Sequence, residues 1–163
     1  MKKVICLMLA GIMMAGVTGC AKTPFEKYEK AVNNSRDGII KFCENFTENI
    51  KDCKTANECI LSIKSEVAAA RMDIKNAGAE YLYTTSGQLE IKKKMVKDIN
   101  NNVDKNYREI EKYLIKLVRL ADKEDIDGIE QMHNRFMNFL EDKDRIVADD
   151  IFDKYRHQVL EAK

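Results

Sequence analysis

The chain of 163 residues carries 28 Lys and Arg against 27 Asp and Glu, which gives a formal net charge of +1. This near balance offers no electrostatic case for binding nucleic acid, which needs a clustered basic surface. Charged residues make up 34% of the chain. Because their signs are mixed and apolar positions recur at helical spacing, a disordered chain is disfavoured and one folded domain is expected.

The N-terminus has the order of an export signal. Lys2 and Lys3 supply a cationic start, residues 4–17 form an apolar stretch, and small residues follow up to Cys20. The apolar stretch is too short for a membrane span followed by a cytoplasmic flank. The segment is therefore predicted to direct export.

Residues 17–20, with the sequence Val-Thr-Gly-Cys, resemble the lipobox of bacterial lipoproteins. The resemblance implies that the Cys20 thiol receives a diacylglyceryl group and that residues 1–19 are then removed. Residues 20–23 would tether a domain of residues 24–163 to the lipid bilayer, which is the first expected partner. A soluble export signal that ends near a cysteine is the alternative.

Ala21, which follows the expected anchor, bears on the location of the protein. It lacks the aspartate that resembles an inner-membrane retention signal in lipoproteins of enteric bacteria. In an organism with two membranes the protein is therefore expected on the outer membrane, facing the periplasm. In a bacterium with one membrane it would lie on the outer face of the cell membrane.

Three cysteines remain once Cys6 leaves with the signal and Cys20 is acylated, namely Cys43, Cys53 and Cys59. On one helix Cys43 and Cys53 would be about 15 Å apart, too far for a disulfide. Cys53 and Cys59 flank a predicted turn and are the favoured pair. A bridge from Cys43 to Cys59 and the absence of any disulfide stay open, because connectivity cannot be deduced from sequence.

Pro24 begins the first predicted helix, because a proline suits the first helical turn. Asn and Ser residues and a glycine over 33–38 weaken the middle of this segment and predict a kink or a short break. Its apolar positions follow one another by three, four or seven residues, as one helical stripe requires. The stripe is Phe25, Tyr28, Val32, Ile39, Phe42, Phe46 and Cys53.

Thr55 and Glu58 form a capping-box pattern, which predicts the start of a second helix. This helix should pack antiparallel on the first. Its small residues predict a close approach of a neighbouring backbone. The apolar stripe is Ile60, Ile63, Val67, Ala70, Ile74, Ala77 and Tyr81, and the small residues are Ala68, Ala69, Ala70, Ala77, Gly78 and Ala79.

Residues 84–87 predict a turn, with a continuous helix from Ala56 onward as the alternative layout. A third helix should run to about Asp122, and its Lys92–Lys94 run is predicted to be solvated. After a turn at residues 125–128, a final helix is predicted almost to the C-terminus. Short connections make sequential helices antiparallel, so the expected fold is all-α, an elongated antiparallel bundle of three to four long helices with partial coiled-coil packing.

Two metal-site patterns occur near the last turn, and each lacks essential ligands. Glu130 and His133 have the Glu-x-x-His step of di-iron bundles, but a second such motif is missing. The turn at 125–128 resembles an EF-hand loop, yet Lys123 and Asn134 stand where that loop needs carboxylates. The sequence therefore predicts no metal ion.

A catalytic set is also missing from the sequence. His133 and His157 would be about 36 Å apart on one helix, too far to act together. Ser86 lacks the Gly-x-Ser-x-Gly setting, and Cys43 has no nearby predicted base. The sequence thus predicts neither an enzyme nor a cofactor.

Two functions remain as expectations. The first is a non-enzymatic, membrane-anchored interaction module that binds another envelope protein as an adaptor, assembly, pilot or exclusion factor. The second is a bundle that binds a small molecule or a metal, with Tyr28, Tyr81, Tyr107 or His133 as polar contacts. A pocket with convergent polar groups would favour the second, and an exposed apolar strip would favour the first.

Overall fold

The computed structural model describes residues 22–50, 55–84, 86–141 and 149–160, and within these ranges the protein is an all-α helical bundle, which confirms the predicted fold class. The two terminal segments and the stretches between these ranges lie outside the described residues. The described helices are α1 (Pro24–Glu48), α2 (Ala56–Thr84), α3 (Leu89–Asp122), α4 (Ile126–Glu141) and α5 (Asp149–Leu160).

Local capping sets the start of α1. Thr23 Oγ1 accepts a hydrogen bond from the Glu26 backbone N–H at 3.2 Å, and Glu26 Oε2 accepts one from the Thr23 N–H at 2.7 Å. Pro24 follows as the first helical residue, where its missing N–H costs no intrahelical bond. The helix predicted from Pro24 is therefore confirmed at its first residue.

The kink or break predicted over residues 33–38 is wrong, because α1 is continuous from Pro24 to Glu48. Val32 and Ile39 are buried on either side of this segment. Ser35 Oγ, in its centre, donates to the Ala70 carbonyl of α2 at 3.1 Å. Packing against α2 thus outweighs the weak intrinsic helix propensity of the segment.

The turn between α2 and α3 rules out the continuous-helix layout. Gly87 and Gln88 have positive φ values of 79° and 48°, which no helix can accommodate. The Lys92 ammonium donates to the Ser86 and Gly87 carbonyls at 3.0 and 2.8 Å and is buried. The expectation of a fully solvated lysine run is therefore wrong for Lys92. Its side chain links the α2–α3 turn to the first helical turn of α3.

The turn between α3 and α4 is closed by a helix cap. Asp125 Oδ1 accepts a hydrogen bond from the Gly128 N–H at 2.9 Å, in the manner of an N-cap residue. Helix α4 therefore begins at Ile126. The stretch for which one final helix was predicted contains two described helices, α4 with 16 residues and α5 with 12, and residues 142–148 between them lie outside the described residues.

Helices α1 and α2 are antiparallel neighbours, because early residues of one meet late residues of the other. The Tyr28 and Tyr81 rings stack with centroids 5.2 Å apart, near the beginning of α1 and the end of α2. Phe25 and Phe152 complete an aromatic cluster there, with their centroids 5.9 Å apart. This aromatic cluster packs α5 against the end of the bundle where α1 begins.

Helix α3 is antiparallel to both α2 and α4. Arg71 Nη2 of α2 lies 2.7 Å from Asp104 Oδ1 of α3, while Gly78 further along α2 faces Val96 earlier on α3. At the other end of α3, the ring of Tyr113 stacks on Phe136 of α4 at 5.3 Å. The antiparallel order predicted for the consecutive long helices is thus confirmed for α1 to α4.

The described helices are amphipathic around one continuous core. Within the ranges given above, no helix combines the length and apolar character that crossing a membrane requires.

Gly78 and Gly38 offer a matched pair of glycine substitutions. A Cβ at Gly78 would lie 2.8 Å from Val96 Cγ1 and 3.3 Å from the Tyr28 hydroxyl, whereas a Cβ at Gly38 has no neighbour within 4 Å. We expect Gly78→Ala to lower the free energy of unfolding by about 1–3 kcal/mol through overpacking. Gly38→Ala should raise it by about 0.5–1 kcal/mol, because alanine has the better helix propensity. Urea denaturation followed by circular dichroism measures both, and equal effects would contradict the close packing at Gly78.

Candidate functional site

The cysteine predictions divide between described and undescribed residues. Cys59 is disulfide-bonded, and Cys43 is a free thiol. The alternative bridge from Cys43 to Cys59 is therefore wrong, because the Cys43 thiol is not oxidised. Cys20 and Cys53 lie outside the described residues, so the acylation of Cys20 and the Cys53–Cys59 pairing stay predictions.

Cys43 is a core residue of α1 with no exposed surface. Burial raises the pKa of its thiol to about 12, and the neighbouring Glu44 carboxylate adds to this effect. A thiol that stays protonated near neutral pH is a poor nucleophile and a poor metal ligand. Its role is packing.

The side chains named for a binding pocket do not converge on one site. Tyr28 and Tyr81 are partners in the aromatic cluster, and the Tyr28 hydroxyl lies against Gly78. Tyr107 of α3 is fully buried beside Cys43, which lies about four helical turns beyond Tyr28 on α1. His133 is half-buried on α4. The tyrosines contribute to the core rather than to a cavity that a ligand could enter.

The polar surface of α3 carries a shallow depression rather than an enclosed binding site. All of its lining residues come from this one helix, so no second element closes over it. Burial alone would raise the pKa of Asp104 there, but the hydrogen bond and charge of Arg71 outweigh it and hold that pKa below its usual value. Among the described residues, no group of three or more His, Cys, Asp or Glu side chains is placed to bind a metal ion.

The outer face of α2 is the unusual surface of this protein. Leu61, Met72 and Tyr83 are 67%, 57% and 92% exposed, and all three lie on this helix. They are spaced by eleven residues, which in a straight helix is three turns, so they lie on one line along the helix. Scattered exposed apolar residues are ordinary on a protein surface, but a line of them on one helix is not.

No charged residue interrupts this line. At 3.6 residues per turn, the α2 residues from Leu61 to Tyr83 that share its face fall within about 80° of the helix circumference, and the charged Glu58 lies on the same face just before Leu61. Each residue of the face between Leu61 and Tyr83 is exposed and uncharged, although a third of the chain is charged. We call this surface the α2 strip. It consists of Leu61, Ser65, Ala68, Met72, Asn76, Ala79 and Tyr83.

The small residues of α2, which are predicted to allow a close approach of a neighbouring backbone, fall into two groups in the structure. Gly78 is buried against Val96 and Tyr28, as expected for a close approach. Ala68 and Ala79 instead belong to the exposed α2 strip. The signal that could have found the strip is the eleven-residue spacing of Leu61, Met72 and Tyr83 on the face opposite the core stripe.

Comparisons of the chain with protein families, with curated proteins and with solved structures give no match. The proposed function below therefore depends on the geometry of the described residues.

The thiol chemistry can be checked by peptide mapping. Digestion of the unreduced protein should yield a peptide pair that links Cys53 to Cys59, and a maleimide should label Cys43 only after denaturation, because the folded core shields its thiol. Labelling of Cys43 in the native protein would contradict its burial. A peptide linking Cys59 to any other cysteine would contradict the predicted pair.

The buried tyrosines predict alkaline unfolding. Burial raises the pKa of Tyr81 from 10.0 to about 12, and it raises the pKa of Tyr28 and Tyr107 further. A raised folded-state pKa means that folding disfavours the phenolate. Their stabilisation is therefore intact below the unfolded pKa of about 10 and is lost as the pH rises through the folded-state values.

Urea denaturation on both sides of pH 10 should show this loss as a falling free energy of unfolding. Tyr28→Phe should make the fall shallower, because it removes one buried phenol. Tyr83→Phe is the matched control, since the Tyr83 side chain is 92% exposed. An equal change in both variants would contradict the assignment.

Proposed function

We propose that this protein is a bacterial envelope lipoprotein anchored through acylated Cys20, and that its helical bundle is a non-enzymatic interaction module. The observation that carries the proposal is the α2 strip, an exposed and uncharged face about 33 Å long on a folded bundle. Contact with another macromolecule would remove the aligned apolar side chains of the α2 strip from water. The module would act as an adaptor, assembly, pilot or exclusion factor.

Two observations support export and anchoring. The N-terminal residues have the charge, apolar length, small residues and cysteine of a lipobox signal in the required order. Cys59 is disulfide-bonded, and disulfides persist in oxidising compartments outside the cytosol. Both features fit a domain exposed at the surface of a membrane, which in a two-membrane organism would be the outer membrane facing the periplasm.

The tether would be short. Thr23 already caps α1, so Ala21, Lys22 and Thr23 alone would separate the acylated cysteine from the first helical residue. Three residues span at most about 10 Å. The proposed anchor therefore holds the aromatic-cluster end of the bundle close to the lipid.

The chemistry of the interior supports a non-enzymatic role. The buried Cys43 thiol has a raised pKa, and the buried tyrosines are held neutral. His133 and His157 lie on different helices, α4 and α5. The three tyrosines named for the small-molecule alternative pack in the core and His133 is half-buried on α4, so no observation favours that alternative.

The anchor is tested with two cysteine variants. Cys20→Ser should abolish incorporation of labelled palmitate and release the protein from the membrane fraction, because the serine hydroxyl cannot form the thioether. Cys6→Ser is the matched control, since it alters a cysteine inside the segment that is removed. Metabolic labelling, membrane fractionation and intact-mass measurement give the result. Membrane retention of an unacylated Cys20→Ser protein would overturn the proposed anchor.

A further inference from the structure

We propose that the α2 strip binds the same strip of a second copy of this chain, with the two α2 helices parallel and in register. The inference rests on the proposed function, because it takes both copies to be anchored in one bilayer. It also deepens that function, since it names the partner.

The residue spacing of the α2 strip fits two helices that pack side by side along their whole length. Leu61, Met72 and Tyr83 recur every eleven residues, a repeat of 3.67 residues per turn that keeps them on one face of a helix pair with a slight right-handed supercoil. In a parallel pair in register, each large side chain meets its own counterpart at the same height. Between these layers lie small residues, including Ala68 and Ala79, which allow two helices to approach closely.

The charges along the two edges of the strip select the parallel direction. Lys64 and Lys75 lie on the edge towards α3, where the Lys75 ammonium is 3.6 Å from Asp104 Oδ1. Asp73 and Glu80 lie on the opposite edge. A twofold axis parallel to the helices places the basic edge of each copy beside the acidic edge of the other.

An antiparallel pair would place like charges together. A twofold axis perpendicular to the helices brings basic edge to basic edge and acidic edge to acidic edge, so Asp73 would lie near Asp73 of the second copy. In the parallel pair the edge that carries Lys75 instead lies beside the edge that carries Glu80 of the second copy, five residues further along. Charge complementarity therefore favours one direction over the other.

The proposed anchor favours the same direction. Thr23 caps α1 at the end of the bundle where α2 finishes, so parallel α2 helices bring both tethers to one end of the dimer. Antiparallel α2 helices would place the tethers at opposite ends, about 40 Å apart for a helix of this length. Tethers of about 10 Å reach one bilayer from upright bundles only in the parallel dimer.

The size of the surface predicts a dimer that depends on the membrane. A strip about 33 Å long and about 10 Å wide covers roughly 330 Å² on each copy. Stable interfaces between soluble proteins bury a total of at least about 1,000 Å². The pairing is therefore weak in dilute solution, and confinement of both copies to one bilayer raises their effective concentration enough to form it.

Cysteine crosslinking in intact cells tests the arrangement. Leu61→Cys and Met72→Cys place thiols on the strip, and Ile126→Cys places one at the start of α4, where the native side chain is 76% exposed. Cys43 is buried and does not compete. We expect covalent dimers from both strip variants at about tenfold or more the level of the Ile126→Cys control, as proximity on the membrane predicts.

The outcomes separate the alternatives. Dimers from Met72→Cys without dimers from Leu61→Cys would mean an antiparallel pair, in which only the central residue meets itself, and would overturn the proposal. Equal dimers from all three variants would mean random collision and would also overturn it. So would monomers throughout, including the case in which a different protein occupies the strip. Palmitate labelling of the same cells reports separately on the anchor, so its failure is distinguishable from failure of the dimer.

A charge reversal in the Met72→Cys background gives an independent check. Lys75→Glu and Glu80→Lys should each lower the yield of covalent dimer, and the double reversal should restore it, because the pair is remade with opposite polarity. The repulsion between Glu at position 75 and Asp104 persists in the double variant, so recovery reports on the contact between copies. A double variant as poor as the single ones would overturn the parallel register.

Discussion

The close approach of α1 and α3 to α2 at Gly78 is the constraint on which the rest of the bundle depends. The Tyr28 hydroxyl of α1 and the Val96 side chain of α3 both reach the space that a Cβ would fill. The two helices therefore cover adjoining sides of α2 and leave its remaining side outward. That geometry gives α2 an apolar face buried in the core and an uncharged face exposed as the α2 strip.

The parts of the fold that local chemistry determines could be predicted from the sequence. Thr23, Thr55, Gly87 and Asp125 mark helix boundaries because their side chains or dihedral angles act within one turn of the chain, and all four stand at the predicted breaks. The continuity of α1 could not be predicted, because the Ser35 contact with α2 comes from a residue distant in sequence. The burial of Lys92 has a similar cause, because its ammonium donates hydrogen bonds to carbonyls of the α2–α3 turn. The conformation of that turn cannot be read from the sequence.

The candidate surface was harder to predict than the fold. Periodicity identifies which residues share a helix face, but it does not tell whether that face is covered by a neighbour. Tyr81 and Tyr83 are two positions apart on α2, yet one is 3% exposed and the other 92%. Tyr28 and Tyr81 suggested polar contacts because each carries a hydroxyl, and in the structure their rings pack in the core. Only the placement of α1 and α3 decides these cases.

The length of α3 gives the molecule a fixed reach. Its 34 residues form one helix between two structured turns, with Lys92 bonded to the first turn and the second turn leading to the Asp125 cap of α4, so the turns are about 50 Å apart. With the proposed anchor at the Lys92 end, the α3–α4 turn would stand at a nearly constant height above the lipid. The bundle would then act as a post that holds whatever it contacts at a defined distance from the membrane.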